Sequence, residues 1–240
     1  TLKNLKDEAI RFCGAIQNQI KKSDFKPAFA EKRFDGYALK SGLTISGIVD
    51  RVDCRDGNMR IIDYKTGKEK FNFAEVYYGI KLQLVVYLQV MSEILHKNGV
   101  ATLYMPVKND FFDLNKSSYS YYKLDGVILQ DDSVIRQMDT TLDGTVPSEI
   151  IDVDFLKSGG YRAQSQKKLL SLQEFANLKK YCFDVLNGAI DEIIGGYISP
   201  KPYKQPNANP CASCKYNSLC HYSIENCGYR AISPKTKKDF

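Results

Sequence analysis

Apolar residues at Leu5, Ala9, Phe12, Cys13, Ile16 and Ile20 recur at three- and four-residue intervals, which predicts a first helix over 5–20. The pattern then shortens to strand-like stretches at 38–40 and 43–48 around Ser41-Gly42, followed by strands at 48–55 and 58–65, an antiparallel meander. Helical spacing returns over 73–96, with Val76, Ile80, Leu84, Leu88 and Met91 on one stripe, and a strand is expected over 100–107. Residues 108–171 are polar, Tyr-rich and broken by Gly, which reads as an insertion with short strand candidates near 120–123 and 150–154. A helix over 172–194 ends at Gly195-Gly196 and leads into the Pro-interrupted stretch 200–210. Strands, helix, strand implies an α/β unit with a mixed sheet over 1–199, and a separate tail over 200–240.

Composition narrows the class. With 240 residues and 43% hydrophobic side chains the chain is long enough for one well-cored domain and an appendage. The net charge of +6 is concentrated at the end, since the residues from Pro200 onward carry seven Lys/Arg against two Asp/Glu. A basic tail permits a polyanionic partner but equally fits a solvated surface. No apolar stretch nears the roughly 20 residues of a bilayer span, and the charged first 22 residues lack a signal-peptide core, so a cytoplasmic protein is expected.

The chemistry centres on the meander. Asp56-Gly57 joins its two central strands, and Asp-Gly favours a two-residue type I′ turn with positive φ at both positions. With Arg55 paired to Asn58, counting outward sets Asp53 against Arg60 and Asp50 against Asp63. Directly opposed Cβ atoms lie about 4.5–5.5 Å apart, so the two carboxylates repel unless a cation sits between them. Lys65, two residues beyond Asp63, projects from the same face. Such a set suits phosphodiester hydrolysis: oxygen ligands hold Mg²⁺ or Mn²⁺, the metal activates water, and an ammonium stabilises developing charge. The bland alternative for so short a pattern is a surface hairpin with solvated charges, and the flanking residues weigh against it.

Gly47-Ile48-Val49-Asp50-Arg51-Val52-Asp53, followed by Ile61-Ile62-Asp63-Tyr64-Lys65-Thr66-Gly67-Lys68, resembles the RecB-like branch of the PD-(D/E)xK nucleases. Gln83-Leu84-Val85-Val86-Tyr87 is similar to the Q-x-x-x-Y motif of that branch, whose polar groups share a helix face at i and i+4. The resemblance implies a restriction-endonuclease-like α/β fold, a mixed central sheet flanked by helices. It further implies Asp50 and Asp63 as metal ligands, Lys65 as catalytic lysine, and Glu31 as the acidic residue that often precedes the metal motif. Gln83 and Tyr87, with Tyr64 and Arg51, are expected at the DNA. Lys65-Thr66-Gly67-Lys68 lacks the preceding glycines of a phosphate-binding Walker A loop, so no nucleotide site is expected there.

In the tail, Cys211, Cys214 and Cys220 give C-x2-C-x5-C, and with Cys227 four cysteines crowd into 17 positions, which favours a metal site in a reducing compartment. Spacing alone selects neither zinc nor iron–sulfur, and Cys227, His221 and the distant Cys13 are the candidate fourth ligands. Over essentially the whole chain the order of features is similar to the C-terminal nuclease domain of AddB-type helicase–nuclease proteins. That resemblance implies a [4Fe–4S] cluster on Cys211, Cys214 and Cys220 with its fourth ligand outside the chain, and an AddA-type helicase–nuclease subunit as partner. It also implies Mg²⁺-dependent exonucleolytic DNA cleavage in double-strand-break repair. The histidine that such sites add from an N-terminal helix has no counterpart in His96 or His221. The alternatives are a stand-alone Cas4-like or phage-type nuclease, and a DNA-binding or assembly module that is inactive in isolation.

Overall fold

The computed structural model describes residues 2–40, 42–67, 69–107, 119–204, 210–212, 214–220, 222 and 228–240. In chain order its elements are α1 (Leu2–Lys22), β1 (Lys26–Ala38), β2 (Thr44–Arg55), β3 (Asn58–Lys65), α2 (Phe73–Tyr77), α3 (Gln83–Leu95), β4 (Asn98–Pro106), a 3₁₀ turn (Ser120–Tyr122) and β5 (Asp125–Leu129). There follow α4 (Asp132–Met138), α5 (Ala163–Gln166), β6 (Leu169–Leu170), α6 (Leu172–Ile194), β7 (Tyr203–Lys204), α7 (Asn217–Cys220), β8 (Arg230–Ala231) and a final 3₁₀ turn (Lys237–Asp239).

Six strands form one mixed sheet in the order β1-β2-β3-β4-β5-β6. The β1/β2, β2/β3 and β4/β5 pairs are antiparallel, whereas β3/β4 and β5/β6 are parallel. The parallel β3/β4 pair requires a crossover, and α2 and α3 supply it. Helices cover both faces. Ala15 and Phe25, with half-buried Phe12 and Ile16, pack α1 and its exit against Ile62, Leu103 and Met105. On the other face Leu84, Leu88 and Met91 of α3 and Phe175, Leu178 and Cys182 of α6 close over Val52, Ile61 and Val127. Each such fully buried aliphatic side chain is worth about 1.5–3 kcal/mol over exposure. This is the mixed sheet between helices that the sequence predicts.

Several expectations change in detail. The two strands expected at 43–48 and 48–55 are one, β2, and β1 begins at Lys26, well before 38–40. The single helix expected over 73–96 is two. Gly79 takes a φ of 74°, and the Ile80 and Lys81 N–H groups both donate to the Glu75 carbonyl, so the chain turns before α3 starts. Of residues 120–123, Ser120–Tyr122 form a 3₁₀ turn rather than a strand, and Ile151 makes only an isolated bridge to Leu124. The stretch expected as an insertion supplies β5 and, with Leu169–Leu170, the sheet edge. Its apolar run Gly126-Val127-Ile128-Leu129 is strand-like, yet only pairing to β4 gives it a place. In α1 the predicted stripe is covered only over the second half, and Leu5 stays 70% exposed.

The tail is not merely an appendage. Tyr203 and Lys204 pair with Arg230 and Ala231, and the last residues return to the body, where Phe240 packs on Phe73, Tyr77 and Tyr181. Among the described residues no helix is long and apolar enough to cross a membrane.

Candidate active site

The β2–β3 hairpin keeps the predicted register, with Arg55 opposite Asn58 and Asp53 opposite Arg60. Its turn departs from type I′, since Asp56 has a φ of 51° but Gly57 does not enter the left-handed region. The tip is tied to β4 by the Asn98 N–H, which donates to the Gly57 carbonyl at 2.8 Å. Regular pairing ends at Arg51 and Ile62, one step short of Asp50 and Asp63. There the ladder is replaced by a side chain: the Tyr64 N–H donates to Asp50 Oδ2 at 2.8 Å.

Asp63 is 9% exposed, and its Oδ2 lies 2.6 Å from Lys65 Nζ. That oxygen is buried and accepts no well-directed hydrogen bond. Burial pushes the Asp63 carboxyl above the usual range; the Lys65 ammonium opposes this, and the charge of Asp50 adds to it. A buried carboxylate paired only with an ammonium and set near a second carboxylate has the oxygen donors that suit a hard divalent cation. Lys65 also lies 5.6 Å from the centre of the Tyr104 ring, and burial raises the Tyr104 hydroxyl to about 12. One row therefore crosses the sheet, from Asp50 through Asp63 and Tyr104 to Asp125, since β3/β4 pairs Asp63 with Tyr104 and β4/β5 pairs Tyr104 with Asp125.

The other expected residues divide. Glu31 lies between Ala30 and Lys32, the partners of Arg51 and Val49, and so stands at the level of Asp50. It is exposed at a left-handed φ of 48°, and among the described residues no three His, Cys, Asp or Glu side chains gather as a metal-holding group. Gln83 is exposed at the start of α3, while Tyr87 is half-buried, edge-on to Phe34 at 5.2 Å. Tyr64 is half-buried, its ring edge-on to Phe12 of α1 at 5.5 Å.

Arg51 was expected at the DNA and is instead buried, 3% exposed. Its Nε and Nη2 donate to the two oxygens of Asp53 at 2.6 and 2.8 Å. Arg60, fully buried, donates to Asp53 Oδ2 from Nε and Nη2 at 3.0 and 2.9 Å. The alternation of the strand sends Asp50 to one face and Arg51 to the other, so the guanidinium is committed to the core. His96 closes α3 as a left-handed C-cap, which keeps it out of the site.

In the tail Cys211 is half-buried and Cys214 and Cys220 are exposed. In this arrangement the three do not converge into a group fit for an iron–sulfur cluster. Cys227 and His221, two of the candidate fourth ligands, lie outside the described residues, and Cys13 is exposed on α1.

Sequence reasoning missed a second set of charges around the row. Lys168 forms ion pairs with Asp125 and Asp152, and Asp125 Oδ2 accepts the Phe71 N–H at 2.7 Å. Lys81 pairs with Glu69 and, at 3.0 Å, with Glu75. The loop leaving Lys65 is thus held from both sides. An Asp at the head of the apolar run 126–129 was the one local signal for Asp125; the partners are distant in sequence.

The mixed sheet thus carries two aspartates and a lysine at one end of its central hairpin. The chain belongs to the PD-(D/E)XK nuclease superfamily, whose family model matches residues 2–221. It is similar to an ATP-dependent helicase/deoxyribonuclease subunit of Clostridium botulinum strain Hall, 33% identical over 266 aligned positions that cover 99% of this chain and 23% of the relative. The corresponding protein of Clostridium tetani is 32% identical, covering 96% of this chain and 22% of the relative. That of Bacillus licheniformis is 30% identical, covering 94% and 22%. The chain spans about a quarter of the length of these relatives.

Proposed function

We propose that the protein is a divalent-metal-dependent deoxyribonuclease. The observation that supports this most is the buried Asp63 carboxylate, which ion-pairs with Lys65 at 2.6 Å and lies close enough to Asp50 to feel its charge, in a chain of the PD-(D/E)XK superfamily. Asp50 and Asp63 would hold Mg²⁺ or Mn²⁺, which when bound supplies positive charge at the phosphate and lowers the pKa of its water. Lys65 orients the attacking oxygen and offsets charge that develops on the phosphate. Gln83 and Tyr87, four residues apart on α3, position the strand. Because the relatives are named as subunits of an ATP-dependent helicase/deoxyribonuclease, the proposal extends to DNA as substrate, exonucleolytic action in break repair, and an AddA-type helicase as partner. In the same reading Cys211, Cys214 and Cys220 are the thiolates of a [4Fe–4S] cluster, reached only if the tail rearranges.

The test is strand cleavage of single- and double-stranded DNA with Mg²⁺ or Mn²⁺, comparing the protein with Asp63→Ala and Lys65→Ala. Loss of cleavage in both variants is expected, and equal activity in all three would sink the assignment. The incomplete carboxylate set among the described residues favours one second reading, a DNA-binding or assembly module. Strand binding with no cleavage under either metal would select it.

A further inference from the structure

Beside the catalytic row lies an open cleft of about 510 Å³ between the loop that leaves Lys65 and the turn that precedes Gln83. Lys70 and Phe71 line it from the loop, Phe73 and Lys81 from the α2 side, and Lys235 reaches it from the C-terminal segment. Lys235 is brought there by tertiary structure: Phe240 anchors on Phe73, Tyr77 and Tyr181, and the Thr236–Asp239 capping box shapes the last turn. Lys235 Nζ then sits 4.3 Å from the Tyr77 ring centre and 3.3 Å from Asp239.

The charges in this cleft have separate tasks. Lys81 is tied to Glu69 and Glu75, which fastens the loop to the start of α3. Lys70 is exposed and makes no ion pair among the described residues, and Lys235 lines the cleft as a half-buried cation balanced by the single carboxylate of Asp239. Phe71 and Phe73, in edge contact at 5.2 Å, offer apolar surface between the lysines. Cations interleaved with aromatic rings, in a cleft whose Phe71 N–H bonds to Asp125 at the end of the row, suit a single nucleic-acid strand, whose phosphates meet the lysines and whose bases meet the rings.

We propose that this cleft is a strand subsite, in which Lys70 and Lys235 bind backbone phosphates of single-stranded DNA adjoining the residue cut at Asp50 and Asp63. It rests on the nuclease reading for its choice of polyanion, but its test does not require cleavage. Binding of a labelled single-stranded oligonucleotide is measured by anisotropy in EDTA, from about 50 to about 200 mM salt. Lys70→Met and Lys235→Met are each expected to make the slope of log K against log salt shallower by about 0.7, as one phosphate contact on a single strand requires. Lys235→Arg should restore it, which separates a lost charge from a disturbed tail. Methionine variants that fold like the parent and keep its slope, or a parent that binds no oligonucleotide, overturn the subsite. Slopes that change in a protein found to cut nothing would support the subsite and leave only the catalytic reading to fall.

Discussion

The phenol of Tyr87 rests directly on Gly47: a Cβ at Gly47 would stand 2.3 Å from the Tyr87 hydroxyl oxygen and 2.9 Å from the Phe34 ring. Gly47 does not serve a left-handed turn; its value is that α3 can lie close on β2, three residues before Asp50. Gly47→Ala is therefore expected to cost about 1–3 kcal/mol, the range for overpacking a filled site. The check is the midpoint of urea unfolding. An unchanged midpoint would mean that Tyr87 is free to swing away.

Asp53 holds two buried guanidinium groups, so Asp53→Ala leaves Arg51 and Arg60 charged and unpaired in the core. Breaking a buried ion pair on one side costs about 3–5 kcal/mol. Thermal unfolding followed by circular dichroism should show a large drop in Tm. The reverse experiment, exchange of all three residues for apolar ones of similar volume, should recover much of the loss.

Asp63 gives a pH dependence with a definite sign. Burial raises its folded-state pKa above that of the unfolded chain, near 3.9, so its contribution to stability is fullest below about pH 4 and is lost as pH rises through the folded value. In metal-free protein Asp63→Asn should thus be more stable than the parent at neutral pH, with the difference shrinking in acid. Mg²⁺ should raise the parent's Tm and leave the variant's unmoved, because a ligand that binds only the folded state stabilises it. A parent that gains nothing from Mg²⁺ at any concentration would count against metal binding here.

Asp125 and Lys168 clamp the loop behind Lys65 through the Phe71 N–H. Asp125→Ala should speed hydrogen exchange at the Phe71 amide while amides in the middle of β3 stay protected. Faster exchange across the whole sheet would show that Asp125 supports the core rather than the loop.

The hairpin was legible in the sequence because its determinants are local. A two-residue turn and a period of two set Asp53 against Arg60 and bring Asp50, Asp63 and Lys65 to one end without any knowledge of the remaining chain. The helix stripe was legible as far as Val76, Leu84, Leu88 and Met91, which are all buried, but not the break between them. A glycine within a helical pattern is tolerated as often as not, and the capture of two N–H groups by the Glu75 carbonyl is decided only once α3 docks.

What the sequence by itself determined, then, is the hairpin register from Arg55/Asn58 to Asp53/Arg60, the alternation of faces and the class of fold, all consequences of short-range geometry. Tertiary structure alone decided that Arg51 is a core residue, buried where it shares the Asp53 carboxylate with the fully buried Arg60. It also decided that residues 125–129 join the central sheet, and that Lys235 comes to the cleft beside Lys70. Each of those depends on segments that are remote in the chain and adjacent in space, and no local periodicity encodes which remote surfaces bury one another.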